Sequence, residues 1–176
     1  MDRIFFNSSA TLQYFLSHDS GLDNGSTTAS AEAQWKPFTF TSSVLTGQYD
    51  NLFAAAPSQR LYLGGESGLN GFPNYYFSGK ARVLLSAEQR YFPPFEFGTL
   101  VPAFAVFLNA GNTWSAYNGV DMHNLHYAAG LGLRLGQSRS VQKVVNHLDI
   151  SWPLGEENLG PWSFFKYFSI VASKNL

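Results

Sequence analysis

Residues Lys80 to Arg90 alternate with period two. Ala81, Val83, Leu85 and Ala87 fall on one side; Lys80, Arg82, Ser86, Glu88 and Arg90 fall on the other, with Leu84 the one apolar residue among them. A strand with one apolar and one charged face lies between two different media. Directly before it, Gly64, Gly65, Gly68 and Gly71 crowd a loop closed by Phe72-Pro73. That density of glycine calls for positive φ angles or for close approach of the backbone to something else.

The alternation recurs along the chain. Ile4 to Ser17 sets Ile4, Phe6, Ala10, Leu12, Tyr14 and Leu16 against Asn7, Ser9, Thr11, Gln13 and Ser17. Ser26 to Trp35 sets Ala29, Ala31, Ala33 and Trp35 against Ser30, Glu32 and Gln34, and Lys36-Pro37 ends it, because proline cannot donate to a ladder. Phe38 to Tyr49 reads as a third strand of poor alternation, followed by the long loop at 50–78. Gly79 to Phe92 is the fourth, Val101 to Ala110 the fifth, Leu125 to Leu135 the sixth, Val144 to Leu154 the seventh and Trp162 to Lys174 the eighth. About eight long antiparallel strands joined up and down, with no helix periodicity, predict an all-β barrel in a single domain over 1–176.

Composition selects between a soluble and a membrane barrel. Charged residues make up 13% of the 176 residues and aromatics 16%, against a mean hydropathy of −0.10. No apolar run is long enough for a membrane helix. A transmembrane barrel alternates apolar and polar residues, so its average hydropathy stays near zero while aromatics gather at the two interfaces. Trp35, Phe38, Tyr91, Phe92, Phe95, Phe97, Trp152, Trp162 and Phe164 stand near strand ends in this way. The connections after the first, third, fifth and seventh strands read as long and those after the second, fourth and sixth as tight, which matches extracellular loops and periplasmic turns. A net charge of −1 with no basic stripe gives no footprint for nucleic acid. Cysteine is absent, which excludes disulfides and thiolate metal sites. Met1-Asp2-Arg3 runs straight into a strand, so an exported chain is expected to have lost its leader.

Five motifs in order, GGESGLNGFP with SAEQRYF, VFLNAGNTW, AAGLGLRLG, LDISWPLG and a terminal aromatic strand, resemble the C-terminal barrel half of the bacterial surface-antigen superfamily. These are the outer-membrane barrel-assembly and two-partner-secretion translocators. The resemblance implies a sixteen-stranded barrel preceded by periplasmic polypeptide-transport-associated domains. It also implies a signature loop whose arginine docks in the lumen on an acidic residue of the strand that here reads FLNAGN. The chain departs from that pattern. It has no periplasmic domains and about half the strands, it ends Lys174-Asn175-Leu176 rather than on an aromatic residue, and Asn70 and Asn109 replace the arginine and the acid. The last two changes belong together, since losing only the arginine would strand a buried carboxylate, whereas two amides can still hydrogen-bond. The docking motif expected from the resemblance is Gly68, Asn70, Gly71, Phe72, Glu88, Arg90, Asn109 and Gly111.

Eight strands raise a geometric problem. The interior of an eight-stranded barrel is just filled by its own side chains, so a loop of this length has no room inside. Either it caps the mouth of a small monomeric barrel, or two chains join into one sixteen-stranded barrel, which also closes every strand edge as lipid demands.

Other motifs carry less. The glycine loop lacks the GK[ST] ending and the following helix of a phosphate cradle. His147, Asp149 and Ser151 share a strand face but lie about 6.5 Å apart in sequence steps, too far for direct relay; an outer-membrane lipid hydrolase stays an alternative on their account. His123 and His126 lack a third metal ligand nearby. The expectation is a non-enzymatic barrel of the bacterial cell outer membrane, without cofactor or metal, that aids insertion or transport of proteins or lipids. Its expected partners are outer-membrane lipids, client outer-membrane or secreted proteins and a second copy in a homodimer. The alternative is a structural barrel or membrane anchor for a separate protein.

Overall fold

A computed structural model of the chain describes residues 5–17, 21–53, 58–95, 98–115, 119–137, 144–155 and 168–175. They form β1 (Phe5–Ser17), β2 (Gly21–Trp35), β3 (Thr41–Phe53), β4 (Leu61–Leu63), β5 (Phe77–Gly79), β6 (Ala81–Tyr91), β7 (Leu100–Trp114), β8 (His126–Gln137), β9 (Val144–Leu154) and β10 (Phe168–Asn175). Eight of these build one sheet in the order β1-β2-β3-β6-β7-β8-β9-β10, and β4 pairs with β5 as a separate hairpin. Every ladder is antiparallel. The up-and-down order follows from sequence, since each long strand pairs with the next one along the chain.

Burial along the central strands is inverted relative to a water-soluble sheet. On β7, Phe104, Val106 and Leu108 are 53%, 59% and 46% exposed, while Ala103, Ala105, Phe107 and Asn109 between them are buried. Leu131 on β8 is 53% exposed, yet Arg134 on the same strand and Asp149 on β9 are each only 4% exposed. Register places Leu45, Leu85, Leu108 and Leu131 on one face of the sheet and Glu88, Asn109, Arg134, Asp149 and Ser151 on the other. Ser43 and Gln89 interrupt the apolar face, and there the Ser43 hydroxyl donates to the Gln89 side chain. Exposed leucine, valine and phenylalanine thus line one face, and the buried charged and amide side chains lie on the other with Val44 and Phe107, over strands of 11, 15, 12 and 11 residues for β6 to β9. Strands of that length suffice to cross a hydrocarbon layer when tilted. Exposed Phe38, Phe40, Tyr91 and Phe95 collect at the end of the sheet where β2 turns into β3 and β6 leads to β7.

Four expectations change. β1 and β10 share no ladder among the described residues, so the sheet keeps two edges where a closed barrel was expected. The third strand starts at Thr41, after Phe40 turns at a φ of 64°, and runs on to Phe53, which takes Asp50 out of the loop and into the ladder opposite Arg82. The fifth strand continues through Gly111 to Trp114. The first connection is short: β2 begins at Gly21, and residues up to Gly25, expected to belong to a long connection, pair with β1 across a register shift at Phe15/Leu16. The eighth strand was expected from Trp162, and residues 162–167 lie outside the described residues; β10 covers Phe168–Asn175.

A candidate site where the glycine loop docks

The residues from Leu61 to Gly79 lie on the polar face of the large sheet. β4 and β5 pair at Leu61–Gly79, Tyr62–Ser78 and Leu63–Phe77, and a 3-10 turn at Gly65–Ser67 starts the segment between them. Leu63, Leu69 and Phe72 are buried together with Ala128 of β8, and Phe77 and Leu84 pack on them. The loop therefore brings its own small apolar core to the face that carries the buried ion pairs. Leu84, the apolar exception on the charged side of β6, is the receiving residue.

Glycine makes the approach close enough. Gly68 sits at φ 109°, where a Cβ would run into the Leu84 side chain, and Gly71 at φ 102°, where a Cβ would come within 2.9 Å of the Trp152 carbonyl carbon and 3.1 Å of the Pro153 nitrogen and of the Ala128 Cβ. Loop backbone thus rests on wall backbone. Gly111 does the same from the wall side: a Cβ there would be 3.0 Å from Leu63 and 3.5 Å from Leu84. Gly71→Val combines left-handed strain with overpacking, each worth about 1–3 kcal/mol. It is expected to release the loop while leaving the strands paired, and limited proteolysis of the folded protein would show this as new cleavage between 61 and 79.

Two charged clusters flank the dock. At the base of the hairpin, Asp50 accepts from Thr28 (2.8 Å), from Gln48 (2.9 Å) and from Arg82 (2.6 Å), and Arg82 donates a further hydrogen bond of 2.9 Å to the Tyr62 carbonyl. This cluster joins β2, β3 and β6 and ties the hairpin to them. Farther along the same face, Glu88 accepts from Arg90 at 2.7 Å and from Arg134 at 3.2 Å, and Arg134 also pairs with Asp149. Its two cations and two anions cancel and link β6, β8 and β9. Ser151, fully buried on this face, has no hydrogen-bond partner for its hydroxyl among the described residues.

Of the expected docking residues, Gly68, Gly71, Phe72 and Gly111 meet in one place. Glu88 and Arg90 belong to the second cluster. Asn109 is buried between Ser86 and Ala128 in the ladders, and no hydrogen bond joins it to Asn70 among the described residues. The loop is held by glycine contacts and by Leu63, Leu69 and Phe72 instead. Asp50, Leu63, Leu69 and Ala128 were not among the residues expected. Asp50 was hidden by the poor alternation of its strand, and the loop leucines carry no signal of their direction until the wall is known. A comparison with models of known protein families finds none that matches this chain, and a comparison with curated proteins finds no match.

Proposed function

We propose that the chain is an integral β-barrel wall of the bacterial outer membrane, with a loop docked in its lumen, and that it aids insertion or transport of proteins or lipids there. The observation that carries the membrane reading is the inverted burial. Ion pairs and amides are buried on one face, while leucine, valine and phenylalanine stand exposed on the other, and water gives no reason for that arrangement. Lipid does, because its hydrocarbon receives the apolar face and a polar lumen receives the other. Assistance to client proteins rests on the motif resemblance to the surface-antigen translocators and on the lumen-docked loop that it implies. Physically, strand edges that are weakly paired or open can receive a client strand by β-augmentation. Among the described residues β1 and β10 share no ladder with each other, which makes these two strands the candidate seam.

Reconstitution into liposomes with an unfolded outer-membrane barrel as client tests the reading. Faster client insertion than in empty liposomes is the expected result. Membrane integration without any effect on clients or on conductance leaves the structural or anchoring role.

A further inference from the structure

We propose that two copies of this chain share one sixteen-stranded barrel, each providing half of the wall and one docked loop. The inference rests on the membrane reading above and names the partner which that reading lacks.

The docked loop stands in the way of closure by one chain. An eight-stranded barrel has space for its own inward side chains and little else. Here the polar face of the sheet also holds a two-stranded hairpin and a 3-10 turn, with Gly68 against Leu84 of β6 and Gly71 against β8 and β9. β10 approaches the 3-10 turn on the same side. A closed ring of eight strands leaves little volume for that loop backbone beside the inward side chains. Meanwhile, the edges of β1 and β10 cannot stay open in hydrocarbon, where unsatisfied backbone groups are too costly.

A second copy fits both edges. In an even-numbered meander, the first and last strands run in opposite directions. β10 of one copy can therefore pair antiparallel with β1 of the other, and a two-fold axis repeats the seam on the far side and closes the ring. The loop supplies an independent sign that a wall is missing. It buries Leu63, Leu69 and Phe72 against its own wall and leaves Tyr62, Tyr75 and Tyr76 exposed. These tyrosines form a built feature: Tyr75 is held at φ 60°, unusual for a bulky residue, and sets its ring edge-on to Tyr62 at 5.3 Å between centroids. The second copy would enclose this side of the loop.

The cysteine-free chain makes the test clean. Two differently tagged copies are expressed together, one carrying Ser9→Cys on β1 and the other carrying Ser169→Cys, Val171→Cys or Ser173→Cys on β10. Membrane integration is read first, by resistance to alkaline extraction. The mass of the detergent particle and the oxidised products follow. The expected result is an integrated particle of two chains, with both tags recovered together and a β1-to-β10 disulfide joining the two chains in at least one of the pairs. An integrated particle of one chain overturns the shared barrel and leaves the membrane reading standing. So does a particle of two chains with no cross-link between β1 and β10. A chain that is extracted at alkaline pH overturns the membrane reading and this inference with it.

Discussion

Leu108→Arg is expected to destabilise the protein in a phospholipid bilayer by about 2–4 kcal/mol, the cost of an arginine near the midplane on the lipid side of a barrel. Leu108 is half-exposed, its ladder partners Ala87 and Ala129 are apolar, and no acidic group stands beside it in register. On a surface facing water, the same change would stay within about 0.5 kcal/mol. Equilibrium unfolding of the wild type and the variant in the same lipid measures the difference. The companion change Asn109→Ala lies one residue along on the opposite face, away from the proposed lipid side, and reports how β7 tolerates substitution there. The contrast between neighbours separates a lipid-facing wall from a general sensitivity of β7.

Arg134→Met is expected to cost about 3–5 kcal/mol, because it leaves Asp149 and Glu88 buried with half of their countercharge removed. Desolvation of an unpaired carboxylate dominates this figure, well above the loss of one hydrogen bond at about 1 kcal/mol. Adding Asp149→Leu to Arg134→Met should be stabilising. Taking both charges out restores neutrality, leaving Glu88 with Arg90, and recovers most of the loss. Unfolding of the two single variants and the double variant gives the coupling directly. A double variant as unstable as the sum of the singles would show that Arg134 acts through packing, for instance by filling the space left by Gly132, where a Cβ would meet the guanidinium.

The eight-stranded meander was legible because the alternation survives in nearly every strand and because the turns contain residues that ladders reject. It failed locally for physical reasons. Gly21 to Gly25 falls between the first two strands expected from sequence, yet a register shift lets these residues continue the β1–β2 ladder. Asp50 looks like the start of a loop, but it is an inward carboxylate paired with Arg82. The candidate site was legible in one feature above all, the apolar Leu84 on the charged side of its strand, which is where the loop comes down. The Asn70–Asn109 pair came from the resemblance, and the contact is made instead by glycine backbone and by leucines whose facing is fixed only when the wall is in place. Strand count alone does not set closure: among the described residues β1 and β10 share no ladder.

Lipid on the Phe104, Val106 and Leu108 side of β7 is the central proposal. Single cysteines at each position from 103 to 109, labelled with an environment-sensitive fluorophore in reconstituted bilayers, can be quenched by spin labels carried on the lipid chains. Quenching at 104, 106 and 108 with little at 103, 105, 107 and 109 is the predicted result. Quenching that ignores this alternation, or none at 104, 106 and 108, would contradict the membrane wall.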